Sequence, residues 1–217
     1  MAPGSGAHQY HVLARRRRFA GPIFDVVTDT VAMPDGQTAD RDYVRHVGAV
    51  GVVALDDADR VVLVRQYRHP VRRALWELPA GLLDVPGEDP LPAAQRELAE
   101  EARLTAGRWN VLVDLHTTPG CSNEAIRVYL ARDLAPAADD GHVLEHEEAD
   151  MTVTRIALDD AVAMALRGEI TNAAAVAGLL AAARVKAMGW SAARPGDAPE
   201  PDGFRPTERP GSLEGAS

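Results

Sequence analysis

Apolar positions recur along the chain at two spacings, and the changes between them mark out the elements. From Phe24 to Met33 valine and threonine dominate, Pro34-Asp35-Gly36 supplies turn chemistry, and the pattern resumes through Tyr43 to His46, which predicts a β-hairpin. Gly48 to Leu55 is an almost unbroken apolar run, the mark of a central strand buried on both faces. Asp56-Asp57-Ala58-Asp59 reads as a turn, since it lacks the glycine and distal glutamate of a calcium loop, and Arg60 to Tyr67 returns as a strand. Trp109 to Leu115, Ile126 to Ala131 and Met151 to Ile156 predict further strands. Helical spacing governs three segments: one starting at or near Pro90 behind Asp89 as N-cap, Leu158 to Leu166, and Asn172 to Met188, whose alanine-rich face permits close packing.

On the first helix, at roughly 100° per residue, Leu91, Ala94, Leu98 and Ala102 gather on one stripe and Glu97, Glu100 and Glu101 on an adjacent one. The apolar stripe is expected to pack and the acidic one to face a cleft. Like charges at i,i+4 cost about 0.2–0.5 kcal/mol per pair, so something must offset them. Either the acidic stripe is a solvated face, or it holds a hard divalent cation such as Mg2+, which takes oxygen ligands and commonly binds through a few carboxylates plus substrate phosphates. Glu88, in the loop before the helix, offers a further carboxylate, and Arg96 can hold these acids in place by ion pairing.

The 217 residues, 46% hydrophobic and 25% charged, suit a globular domain with short tails. No apolar run is long enough to span a membrane, and no apolar segment follows the basic residues near the N-terminus, so a signal peptide is not expected. The single Cys121 excludes an internal disulfide framework and fits a reducing cytoplasm. A net charge of −9 argues against a nucleic-acid-binding surface, and it makes a metal helpful wherever the substrate is itself anionic. Arg15 to Arg18, a short basic cluster in an acidic chain, reads as a solvated strand edge or a phosphate contact. Residues 1–10 read as a loose tail, and the Pro, Gly, Asp and Glu of 191–217 predict a flexible one. The sequence carries no Ser-His-Asp arrangement, Cys-x-x-Cys pair, Gly-x-Gly-x-x-Gly loop or internal repeat.

The stretch from Gly81 to Leu104 resembles the Nudix box, G-x5-E-x7-R-E-U-x-E-E-x-G-U with U aliphatic. Glu88, Arg96, Glu97, Leu98, Glu100, Glu101 and Leu104 match it in type and spacing. There are two departures: six residues rather than five separate Gly81 from Glu88, which a loop absorbs, and Arg103 stands in place of the box glycine. That glycine is expected to end the helix in a left-handed conformation, at a cost to any other residue of about 1 kcal/mol. Val64-Arg65-Gln66-Tyr67-Arg68 followed by Trp76-Glu77-Leu78-Pro79-Ala80-Gly81 is similar to the ADP-ribose pyrophosphatase branch of the family. Thr118-Pro119-Gly120-Cys121-Ser122-Asn123-Glu124 resembles that branch's S-P-G-x-S-x-E segment, with Thr118 in the serine position and Cys121 a small filler rather than a nucleophile.

The resemblance implies an α+β Nudix fold: an α/β/α sandwich whose mixed sheet has the box helix on one side and the C-terminal helices on the other. An N-terminal antiparallel β subdomain at 11–46 would precede the hydrolase domain at 47–190. It implies hydrolysis of the diphosphate of ADP-ribose to AMP and ribose 5-phosphate with Mg2+, or Mn2+, held by the Ala80 carbonyl, Glu97, Glu100 and Glu101. Arg65 or Arg68 would contact the diphosphate or terminal ribose, for which an arginine fork is suited, and Glu77 the nucleotide. Glu148, with Glu147 beside it, would orient or deprotonate the attacking water, because carboxylates bound to metal are poor bases. Arg96 and Glu100 complete the catalytic set. His142 and His146 are expected to be exposed loop residues. A cytoplasmic homodimer that exchanges its N-terminal strands is implied as well. The same box serves other nucleoside diphosphate derivatives, such as nucleotide sugars and NADH, and a Nudix fold without hydrolysis would be a ligand-binding module; these are the alternatives.

Overall fold

The alternation near the N-terminus becomes three antiparallel strands, β1 (Val12–Ala20), β2 (Phe24–Ala32) and β3 (Thr38–His46), in that spatial order. The basic run lies on β1, an edge strand, and is paired across the sheet. Arg15 donates to the Asp29 carboxylate at 2.6 and 2.8 Å, Arg16 to Asp40 at 2.9 Å, and Arg18 to the Thr28 hydroxyl at 2.7 Å. Gly36, at φ 82°, turns the chain between β2 and β3. Residues 118–124 join this unit: Val44 N–H donates to the Cys121 carbonyl and His46 N–H to Asn123 Oδ1 at 2.8 Å. The computed structural model describes residues 9–85, 88–138, 150–205 and 210.

The second compact unit begins after Val47 and is organised on β4 (Ala49–Ala54), every residue of which is buried. After it come β5 (Arg60–Arg68), a 3-10 turn at His69–Val71, β6 (Arg73–Glu77), β7 (Ala80–Leu82) and helix α1 (Pro90–Ala102). The chain continues through β8 (Leu104–His116), β9 (Ala125–Pro136), β10 (Thr152–Ala157), helices α2 (Leu158–Leu166) and α3 (Ala173–Ala187), and β11 (Arg194–Pro195). A mixed five-stranded sheet runs β11-β8-β9-β4-β7, with β4 and β9 parallel, and an antiparallel three-stranded sheet runs β10-β5-β6. Because strand side chains alternate, Val50, Val52 and Ala54 enter one core with Ala93, Ala94 and Leu98 of α1. Val53 enters the opposite core with Leu158 of α2 and Ala175 and Leu179 of α3. The two helical layers therefore clasp the sheet as an α+β sandwich. α3 approaches closely at Gly178, where a Cβ would meet Leu78 and Val53 at 3.0 Å.

α1 starts at Pro90 as predicted. Asp89 has the extended backbone of an N-cap, although its side chain makes no capping hydrogen bond. The apolar stripe is broader than its periodicity suggested: Ala93 is buried with Ala94 and Leu98, and so is Glu101. The helix ends at Arg103, which takes the left-handed conformation of the box glycine at φ 54° and ψ 39°, and β8 starts at the next residue. That half of β8 escapes the apolar pattern because residues 105–108 are mostly exposed and are held by the ladder to residues 132–135 of β9. Replacing Arg103 with glycine should relieve the backbone strain and raise stability by about 1 kcal/mol in a thermal melt. A lowered melting temperature would mean that the arginine side chain outweighs the strain.

The flexible tail expected from residue 191 is ordered as far as Phe204. β11 adds to the edge of β8, and Asn110 Nδ2 donates to the Arg194 carbonyl at 3.1 Å. Arg127, 3% exposed, donates to Asp114 at 2.7 Å, to the Ala198 carbonyl at 2.6 Å and to the Pro199 carbonyl at 3.1 Å, while Arg194 donates to the other Asp114 oxygen at 2.8 Å. Composition hid this segment, because its anchors are carbonyls and one buried arginine from β9. Burial acts to raise the Asp114 carboxyl, but hydrogen bonds from Arg127 and Arg194 outweigh it and hold the group below its ordinary 3.8. Asp114→Ala strands the buried Arg127 charge and should cost about 3 kcal/mol in urea unfolding at neutral pH. A depressed carboxyl stabilises above its unfolded pKa and loses that contribution as pH falls through the folded one. The gap between wild type and variant should therefore close below about pH 4.

Candidate active site

Arg96 is the hub of the acidic face. Its Nε and Nη2 donate to Glu88 at 3.2 and 3.1 Å, and its Nη1 donates to Glu97 at 2.6 Å and to Glu100 at 3.1 Å. One guanidinium thus offsets the repulsion among acids brought together by the helix turn and the preceding loop. The hydrogen bonds that Arg96 donates to Glu88, with the charges of Glu97 and Glu100, push the arginine's already high pKa further up despite partial burial.

Two carboxylates of α1 meet the turn that starts β7. The Ala80 N–H donates to Glu101 Oε2 at 2.9 Å, and this is what makes burial of Glu101 tolerable, since a buried carboxylate without a donor is costly. One residue on, the Glu97 carboxyl group lies against Gly81 so closely that any Cβ there would overlap it. Gly81 therefore does more than make the turn tight: it leaves the space that Glu97 occupies. Glu100, a helical turn beyond Arg96, completes the set.

The predicted substrate contacts separate. Glu77, 3% exposed, ends β6 and receives the Arg68 fork at 3.1, 3.2 and 2.7 Å. Glu77 pairs in register with Val64, on the side of β5 whose Val62 packs with α1, so it shares the face of the acidic helix. Arg65 pairs with Trp76 and projects from the opposite face, its guanidinium 5.7 Å from the Trp76 ring centroid. Strand period alone requires this split, because residues three apart on a strand point to opposite sides. Glu147, Glu148, His142 and His146 lie outside the described residues.

The donors suit a hard divalent cation. Glu97, Glu100 and Glu101 supply carboxylate oxygens from one stretch of helix, the Ala80 carbonyl belongs to the turn they meet, and Gly81 cradles Glu97. Among the described residues no three His, Cys, Asp or Glu side chains form a ready metal cage, and Arg96 occupies oxygens of Glu97 and Glu100. A cation there would compete with the guanidinium for those oxygens.

Residues 45–176 match the NUDIX domain family model. The ADP-ribose pyrophosphatase of Mycobacterium tuberculosis is 47% identical over 191 residues, 88% of this chain and 90% of that protein. The ADP-ribose pyrophosphatase of Bacillus subtilis is 33% identical over 161 residues, 74% of this chain and 85% of that protein. The crystal structure of an ADP compounds hydrolase superposes with a TM-score of 0.70 at 23% identity, over 86% of this chain and 99% of that one, and shares its fold.

The clearance at Gly81 gives a test. Gly81→Ala should fold yet displace the Glu97 carboxylate, weakening Mn2+ binding, followed by electron paramagnetic resonance, by about tenfold or more. Unchanged Mn2+ affinity would separate Glu97 from the cation site.

Proposed function

The chain belongs to the Nudix family, and we propose that it hydrolyses the diphosphate of ADP-ribose to AMP and ribose 5-phosphate. The observation that carries this chemistry is the meeting of α1 with the half-buried turn at Ala80 and Gly81, which brings carboxylates, that turn and the Arg68–Glu77 pair to one face of the fold. ADP-ribose is favoured among diphosphates because the ADP-ribose pyrophosphatases of Mycobacterium tuberculosis and Bacillus subtilis align over most of the chain.

Glu97, Glu100, Glu101 and the Ala80 carbonyl would hold Mg2+, or Mn2+ in its place, which when bound neutralises diphosphate charge and acidifies a bound water. Arg96 keeps the helix carboxylates from splaying apart. Glu77, oriented by Arg68, would accept hydrogen bonds from the nucleotide, and Arg65 would act only on a part of the substrate that reaches the Trp76 face. Glu148, with Glu147 beside it in sequence, would take a proton from the water as its oxygen attacks phosphorus and the bridging P–O bond breaks. The N-terminal sheet supports a homodimer, because Val12, Leu13 and Phe19 of β1 are 48%, 59% and 51% exposed. No helix among the described residues is long and apolar enough to cross a membrane, and a reducing cytoplasm suits the lone Cys121.

Purified protein with Mg2+ should release AMP from ADP-ribose in preference to NADH, a sugar nucleotide or a nucleoside triphosphate. Glu97→Gln should lower turnover by about two orders of magnitude, and Glu148→Gln should do so more severely than Glu147→Gln. Preference for another substrate would keep the chemistry and replace ADP-ribose. Silence across the panel with both Mg2+ and Mn2+ would favour the ligand-binding module.

A further inference from the structure

The hairpin joining β5 to β6 carries Arg68, His69, Arg72 and Arg73 within a short span of an acidic chain. Arg68 and Arg73 stand directly opposite each other in the ladder, Gln66 opposes Leu75, and Val64 opposes Glu77. Residues paired in this way project from one face, so Arg68, Arg73 and Glu77 share a side of the sheet, the side of α1. Two like charges directly opposite destabilise a ladder unless something neutralises them. Glu77 neutralises only one, because both of its oxygens receive the Arg68 fork. Arg73 is exposed and, among the described residues, has no ion-paired or hydrogen-bonded side-chain partner, and the same holds for Arg72.

This leaves surplus positive charge beside Glu77 in a protein of net charge −9. It is also within reach of the site. Arg68 starts from the same rung of the ladder as Arg73, and its guanidinium spans back to the Glu77 carboxylate at 2.7 Å. A side chain of equal length on the facing position covers the same ground. Arg72, at φ 54°, holds a left-handed conformation that closes the turn through its N–H to the His69 carbonyl, and thereby fixes where the following residue enters β6.

We propose that Arg73 is a substrate-binding residue, whose guanidinium takes phosphate oxygens of the nucleoside diphosphate beside Arg68, which is held on Glu77. The assignment rests on the diphosphate reading above and extends it to a residue outside the box and outside the R-Q-Y-R strand. An exposed arginine that captures an anion acts on binding and encounter, not on bond breaking. Its loss therefore raises KM, leaves kcat nearly unchanged, and flattens the dependence of kcat/KM on ionic strength.

The test compares wild type, Arg73→Gln, Arg73→Lys and, as a control for net charge, Arg184→Gln on the exposed side of α3. With ADP-ribose and Mg2+, Arg73→Gln should raise KM about fivefold with kcat within about twofold of wild type, Arg73→Lys should recover most of the loss, and Arg184→Gln should match wild type. Calorimetric titration with ADP is the parallel arm, with the dissociation constant in Arg73→Gln expected to weaken by a similar factor. Equal ADP affinities in wild type and Arg73→Gln, or no ADP binding by either, overturn the assignment even when ADP-ribose is hydrolysed. So does an equal effect of Arg184→Gln, which would make the change one of net charge. If wild type leaves ADP-ribose intact while ADP binding still weakens in Arg73→Gln, the ADP-ribose reading falls and the anion contact stands.

Discussion

The site depends on a buried carboxylate that a backbone amide makes affordable. Glu101 lies within α1, on the side that packs, where its charge would be poorly solvated. The Ala80 N–H supplies a charge-assisted hydrogen bond at 2.9 Å and ties the last turn of the helix to the start of β7. Once that tie is made, the rotation of α1 about its axis is fixed, Glu97 is brought over Gly81, and Glu100 is left on the more open side within reach of Arg96. Ala93, Ala94 and Leu98 then enter the core beside Val50 and Val52, so apolar packing and the polar tie select the same helix orientation.

Arg96 solves a separate problem. A helix with glutamates at 97, 100 and 101 gathers negative charge on one turn, and the loop residue Glu88 adds to it. A single guanidinium with several donors in a fixed fork reaches Glu88, Glu97 and Glu100 together, which a lysine's point charge could not do with the same geometry. The acids are thereby ordered before any cation arrives. The consequence is that a cation placed there would compete with the guanidinium for Glu97 and Glu100 oxygens, setting its affinity against the order of the carboxylates.

Much of this was legible in the sequence, and the losses have physical causes. The order of elements, the start of α1 at Pro90 and the box residues follow from periodicity, capping and spacing. A helical wheel groups Glu101 with Glu97 and Glu100 on the stripe expected to face a cleft, because it assigns faces by angle and cannot see that a backbone N–H waits at Ala80. The motif alone leaves Arg65 and Arg68 as alternatives, although the strand period already separates them, and the structure pairs Arg68 with Glu77 and places Arg65 on Trp76. The ordered stretch before Phe204 was invisible because proline, glycine and acid suggest disorder, whereas Arg127 holds that stretch by its carbonyls. Arg73 carries no signal in the sequence, because its meaning comes from register, opposite Arg68, and register is a property of the paired strands.

An acidic protein that acts on a diphosphate must bring an anion toward carboxylates, and the distribution of arginines decides whether it can. Several arginines among the described residues are held in structural ion pairs: Arg15 on Asp29, Arg60 on Asp56, Arg96 on the box acids and Arg127 on Asp114. An arginine held in such a pair contributes little field at a distance, because its partner's opposite charge lies within a few ångströms and the solvent screens the remainder over roughly 8 Å at physiological salt. Favourable potential for an incoming phosphate must therefore come from a cation on the carboxylates or from a positive side chain without an acid partner. The β5–β6 hairpin supplies the second on the face where the helix acids offer ligands for the first. The two are complementary in kind, since Glu97, Glu100 and Glu101 would hold a cation that supplies charge neutralisation, whereas an arginine on a strand end acts on the approach and orientation of the substrate.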